Sequence, residues 1–119
     1  MPYSPQDVHK KLLGKKGEKI ALKYLKDKGY TLLETNYRTP FGEADIIVHK
    51  GDEIIFVEVK TRSGDNYGAP KEAVGKDKKR RYYQMASYYG KQTGEEPNAR
   101  FDVIEVYTDG KIEHYEYAF

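Results

Sequence analysis

Apolar residues recur at three- and four-residue spacing through Val8, Leu12, Leu13, Ile20, Ala21, Tyr24 and Leu25, with lysines between them, which predicts an amphipathic helix. Gly14 and Gly17 interrupt that stripe. Each costs about 1 kcal/mol relative to alanine inside a helix, so either the helix proper begins there or its backbone packs close to a neighbour. Gly29 suits a left-handed cap. The period then changes. Residues 30–37 predict a first strand, and a turn around Pro40 leads into the stretch that organises the chain. This is Gly42-Glu43-Ala44-Asp45-Ile46-Ile47-Val48-His49, then Lys50-Gly51-Asp52, then Glu53-Ile54-Ile55-Phe56-Val57-Glu58-Val59-Lys60. Both arms are rich in Ile, Val and Phe, and Gly51-Asp52 has the chemistry of a two-residue hairpin loop. That loop sets Lys50 opposite Glu53, and counting outward sets Ile47 opposite Phe56, Asp45 opposite Glu58 and Glu43 opposite Lys60. Those three pairs share a face. The other face carries Ala44, Ile46 and Val48 against Val59, Val57 and Ile55, apolar throughout and fit for a core.

Beyond Lys60, the glycines and proline between Arg62 and Pro70 forbid regular structure. The loop leaves the strand end that carries Glu58 and Lys60, where it would meet a substrate or serve as a permissive connection. Pro70 suits a first helical position, with a short turn over 71–74. Lys76 to Gly90 predicts a second helix whose buried stripe is Tyr82, Met85, Ala86 and Tyr89. A polar loop follows, then strands over 100–107 and 111–117 around a turn at Asp109-Gly110. The expected fold is α/β in the order α-β-β-β-α-β-β, a mixed central sheet flanked by helices, with the second helix crossing over to set the next strand beside the central one.

At 119 residues the chain suits one domain, 1–119, with a single modest core. Cysteine is absent, so disulfides and zinc–thiolate sites are excluded, and His9, His49 and His114 lack ligand spacing. No apolar run reaches membrane-spanning length and no leader-like apolar segment opens the chain, which predicts a cytoplasmic protein with no membrane partner. The net charge of +2 hides an asymmetry: residues 1–94 hold 19 basic and 12 acidic side chains, residues 95–119 hold 2 and 7. One positive surface, suited to a polyanion, is implied. Lys78, Lys79, Arg80 and Arg81 crowd the first turns of the second helix, where cations oppose the macrodipole. A helix chosen for stability alone would carry acids there, which favours contact with phosphates over a solvated face.

The chemistry gathers at the hairpin's charged end. Two carboxylates opposite each other in a ladder repel, so Asp45 and Glu58 imply something cationic between them. Hard divalent cations favour carboxylate oxygens, and Lys60 on the same strand end could hold or activate a water. The competing reading is an exposed sheet end with solvated surface charges. Glu18 borders the buried stripe of the first helix; taken alone it is a partner for a nearby lysine.

Asp45 followed by Glu58-Val59-Lys60 on the next strand resembles the PD-(D/E)XK signature of restriction enzymes, repair nucleases and Holliday-junction resolvases, although Ala44 stands where that motif has proline. More closely, Gly17-Glu18, Asn36-Tyr37-Arg38, Gly42-Glu43-Ala44-Asp45, Phe56-Val57-Glu58-Val59-Lys60-Thr61-Arg62 and the final Ala118-Phe119 resemble the YraN family of bacterial proteins, over nearly the whole chain. The resemblance implies a restriction-endonuclease-like core and a magnesium- or manganese-dependent nuclease acting on DNA, with RNA left open. In that scheme Asp45, Glu58 and the Val59 carbonyl ligate the metal, Glu18 assists a second metal or its water, and Lys60 serves the attacking water. Arg62, Lys78, Arg80 and Arg81 hold the backbone, and Gln84 with Tyr88 resembles the Q-x-x-x-Y pattern of RecB-like nucleases. Branched DNA follows by analogy only. A non-catalytic nucleic-acid-binding module and an adaptor without nucleic acid are the rival readings, and dimerisation is left open.

Overall fold

A computed structural model of the chain describes residues 5–62, 76–94 and 98–118, with side chains of the first helix described from Leu13 onward. The expected turn over 71–74 and most of the 62–70 loop lie outside the described residues. Helix α1 spans Pro5–Asp27, strands β1 Thr31–Thr39, β2 Gly42–Lys50 and β3 Glu53–Arg62 follow, then helix α2 Lys76–Thr93 and strands β4 Asn98–Tyr107 and β5 Ile112–Tyr115. The order is the expected α-β-β-β-α-β-β. One sheet in the spatial order β1-β2-β3-β4-β5 separates the helices, antiparallel except where β4 lies parallel to β3. A parallel neighbour needs a crossover, and α2 supplies it.

Each face of the sheet buries one helix. On one side Ala21 and Leu25 of α1 pack on Ile46, Val48, Ile55, Val57, Ile104 and Val106. On the other, Tyr82, Met85, Ala86 and Tyr89 of α2 pack on Ala44, Ile47, Phe56 and Phe101, the stripe expected for that helix. Helix α1 runs unbroken through both glycines. Gly17 is buried, and a Cβ there would collide with the Thr61 hydroxyl of β3, whereas nothing approaches a Cβ at Gly14. So Gly17 marks close packing, not a helix start. Gly29 closes the helix at φ 92°, with Tyr30 N–H donating to the Leu25 carbonyl at 3.0 Å.

The hairpin register holds from Lys50–Glu53 through Ile47–Phe56 to Ile46–Val57, where the ladder stops. Asp45 therefore does not pair with Glu58, nor Glu43 with Lys60. Asp45 Oδ2 instead accepts the Val59 N–H at 2.8 Å, the donor that an unbroken ladder would offer to Ala44. The strict alternation of faces fails at the same point: Ala44 joins Ile47 in the α2 layer while Ile46 faces α1. Across the ladder β1 is irregular too. It slips register between Leu32 and Glu34, and Asn36, flanked by the pairs Thr35–Ile46 and Tyr37–Ala44, takes φ 50°. Two local departures from strand geometry thus face each other, Asn36 and Asp45, and both re-aim side chains at the sheet's end.

At the opposite end of the α1 layer lies a buried ionic network. Arg100 clamps Asp102 through Nε and Nη2 at 2.9 and 2.8 Å, and His114 Nε2 stands 2.6 Å from Asp102 Oδ2. Tyr30, Glu53, the more distant Glu116 and the Tyr117 ring also surround Arg100, and Tyr24 reaches His114 Nδ1 at 3.0 Å.

Candidate active site

Where β2 and β3 part, four carboxylates come from three elements. Asp45 and Glu43 start β2, Glu58 sits near the end of β3, and Glu18 comes from the second half of α1. Glu18, Asp45 and Asn36 line a cavity of about 270 Å³ together with Lys15, Lys19 and Thr35. Glu58 turns the other way, to α2, where Lys78 Nζ lies at 2.9 Å and the Tyr82 hydroxyl donates at 3.2 Å. The site straddles the end of the sheet, fed from both layers.

The electrostatics couple these groups. Burial pushes the Asp45 carboxyl above its ordinary value, the Val59 N–H pulls it back, and the charges of Glu58 and Glu43 push it up again. Burial likewise raises Glu18, and repulsion from Asp45 and Glu43 adds to it against an opposing pull from Lys15. Tyr82 is held protonated by burial and by its neighbour Glu58. Among the described residues, no three carboxylate or imidazole groups converge at metal-ligating distance. The donors at this end are nonetheless all hard oxygens. Asp45 has committed Oδ2 to the backbone, and the Val59 carbonyl leaves β3 on the same edge as its N–H, toward Asp45.

Lys60 follows Glu58 on the same face and stands beside Glu105 in the parallel ladder. Glu105 has no sequence motif to mark it. It is 3% exposed; its Oε2 holds Arg62 Nε at 2.8 Å, and its Oε1 is buried without a hydrogen-bond partner among the described residues. Arg62 is thus drawn onto β4, and Lys78 onto Glu58. Arg80 and Arg81 remain exposed on α2, Arg80 only 3.7 Å from the exposed Asp77, and Gln84 is exposed beside them. Tyr88 packs instead against Tyr37 and Phe41. Asn36 belongs to the Asn36-Tyr37-Arg38 motif, and its positive φ and its place in the cavity wall mark it as part of the site.

Relatives share this frame over most of their length. A UPF0102 protein of Thermodesulfovibrio yellowstonii is 49% identical over 107 residues, covering 90% of this chain and 95% of its own. One of Alkaliphilus metalliredigens is 53% identical over 97 residues, covering 81% and 85%. The solved structure described as "Crystal structure of SSO0001" resembles 97% of this chain and 53% of its own at 20% identity, with a TM-score of 0.42, too distant a likeness to bear on function. The family model described as "Uncharacterised protein family UPF0102" matches residues 17–106, from the buried glycine of α1 to the end of β4. By that match and those identities the chain belongs to the UPF0102 family, the YraN-like proteins its motifs resemble.

Proposed function

We propose that this protein is a divalent-metal-dependent nuclease that hydrolyses phosphodiester bonds in nucleic acid, DNA foremost. The observation that carries the reading is the break in the β2–β3 ladder. A sheet built only for stability would carry its pairing to the strand ends and fill those positions with side chains that do not repel one another. Here it opens to set Asp45 against the Val59 backbone, within reach of the fields of Glu43, Glu58 and Glu18. The donors fit magnesium or manganese, which take one or two carboxylates and keep several waters, so a third protein ligand is not required. Asp45 and the Val59 carbonyl would hold the ion with Glu18 near it, and Glu58 would join them by turning its carboxylate from Lys78 toward Asp45. When bound, such an ion polarises a phosphoryl oxygen and acidifies a water. Lys60, on the face of Glu58, orients the attacking water and offsets charge that develops on the phosphate. Arg80 and Arg81 attract the backbone from α2.

A second reading rests on the Lys78–Glu58 ion pair, which neutralises one proposed ligand internally. It describes a module that binds nucleic acid and does not cut it. Labelled single-stranded, duplex and four-way-junction DNA, each incubated with magnesium, manganese or chelator, separates the two. The nuclease reading expects metal-dependent cleavage that Lys60→Met lowers by about 10² or more while binding changes only a few-fold. It also expects calorimetric manganese binding to vanish in Asp45→Asn with Glu58→Gln. Tight binding of all three forms without cleavage would transfer the case to the non-catalytic module.

A further inference from the structure

Helix α2 carries Lys76, Lys78, Lys79, Arg80, Arg81 and Lys91 against a single acid, Asp77. Lys78 is turned to Glu58, so the cations left outward concentrate on the face away from the sheet. That face is not uniformly polar. Lys76, Lys79, Arg80, Tyr83, Gln84 and Ser87 line a shallow groove of about 470 Å³, whose wall is almost wholly apolar surface. Tyr83 supplies an aromatic ring to it, and lysine and arginine supply their methylene stems. Tyr83 is 60% exposed, while Tyr82 beside it and Tyr89 on the same helix are buried. Its ring stands edge-to-face on Phe101 at 5.7 Å between centroids, a contact that leaves most of the ring uncovered. A single exposed tyrosine is ordinary on a helix, but here the ring forms the apolar wall of a groove rimmed by cations, so a stacking surface stands beside phosphate-attracting charge.

We propose that this groove is a binding site for an unpaired nucleotide of a single strand, with a base stacked on Tyr83 and the flanking phosphates met by Lys76, Lys79 and Arg80. The two halves of the surface match the two halves of the ligand. A flat apolar ring takes the π-face that every base presents, and the cations take the backbone. A duplex presents its phosphates and buries its base faces, so it would satisfy the cations and leave the ring unused. Gln84, at the groove's rim, can meet a base edge. The inference rests on the nucleic-acid reading above and narrows it: the preferred substrate has single-stranded character, in a gap, flap, loop or free strand.

The chain contains no tryptophan, so Tyr83→Trp places its single tryptophan in the groove, excited selectively at wavelengths beyond tyrosine absorption. Its emission is titrated with a thymine single strand, the same strand made of abasic sites, the matched duplex and phosphatidylserine vesicles. In parallel, anisotropy of labelled strands measures affinity for wild type, Tyr83→Ala and Tyr83→Phe. The expected result is quenching by the base-bearing single strand well beyond that by the abasic strand or the duplex. Tyr83→Ala should lose about tenfold in affinity for that strand and little for the abasic one, while Tyr83→Phe keeps wild-type affinity. Equal binding of abasic and base-bearing strands by wild type would overturn the proposal, as would a Tyr83→Ala protein with unchanged affinity. A response to vesicles as strong as to the single strand would assign the face to a membrane surface instead. Should wild type cleave DNA with metal while Tyr83→Ala is unimpaired in binding and cleavage, the stacking site falls and the nuclease stands. If wild type binds no nucleic acid of any form, both fall.

Discussion

Asp45 shows how one residue departs from stability to make a site. Its carboxylate is partly buried, it repels Glu43 and Glu58, and it displaces a rung of the ladder by taking the Val59 N–H. Asparagine is nearly isosteric, keeps a carbonyl oxygen to accept that N–H, and removes the desolvated charge. Asp45→Asn should therefore raise the melting temperature in chelator by a few degrees, on the order of 1 kcal/mol, the usual gain when a functional strain is relieved. Manganese should then add little further stability to the variant, whereas it should raise the melting temperature of wild type by linkage. A variant that melts lower than wild type in chelator would show that Asp45 is a structural cap and not a strained ligand. Asn36 makes the complementary point. Its left-handed backbone faces Asp45 across the ladder, a conformation that asparagine tolerates better than most residues.

At the scale of the element, the two glycines of α1 look alike in the sequence and behave oppositely in the fold. Gly14 has open space around it, so Gly14→Ala gains helix propensity and should stabilise by up to about 1 kcal/mol. Gly17 lies against Thr61 with Val106 behind it, so Gly17→Ala overpacks the helix–sheet contact and should cost about 1–3 kcal/mol in chemical denaturation. Equal effects from the two would dissolve the close-packing argument. Because Gly17 is one residue before Glu18, a displaced helix would also carry that carboxylate away from Asp45. Helix α2 contributes in a different way, by placing Lys78 as an internal counter-ion for Glu58. An ammonium there would compete with the proposed divalent cation for the same carboxylate. Lys78→Gln should tighten manganese a few-fold in calorimetry, in line with up to about 1 kcal/mol for a partly exposed pair. Weaker manganese binding in that variant would mean the lysine orients Glu58 for the metal instead of opposing it.

For the whole molecule, element order, the α2 stripe, the 20–25 part of the α1 stripe and the hairpin loop were legible because each depends on local periodicity or turn chemistry: Gly51-Asp52 sets Lys50 against Glu53, and the Tyr82–Tyr89 stripe buries as spaced, while Val8 and Leu12 lie outside the described side chains. The break at Asp45 was not legible, since counting outward from a turn assumes a regular ladder, and nothing in Ala44-Asp45 announces a change of face. Nor was the pairing of Arg62 with Glu105, which arises only when β4 is laid parallel to β3. The same long-range assembly creates the Asp102 network, whose members span residues 24 to 117. Burial alone would raise the Asp102 carboxyl, but hydrogen bonds with His114 and Arg100, the Arg100 charge and the Tyr117 N–H hold it below its ordinary 3.8. A depressed carboxyl contributes stability that is fully present above the unfolded value and lost as pH falls through the folded one. The contribution is therefore complete at neutral pH and fades only below about 3.8, where protonation weakens the hold of Asp102 on Arg100 and on His114 of β5. Asp102→Asn removes this charge permanently and leaves the guanidinium of Arg100 buried with Glu53 and the more distant Glu116 as its acidic partners among the described residues. It should cost about 3–5 kcal/mol at neutral pH, as for other broken buried pairs. The variant's denaturation midpoint should also fall less steeply than that of wild type as pH is taken from 5 to about 3. Parallel acid limbs for the two proteins would show that the stability of this end of the sheet does not depend on ionised Asp102.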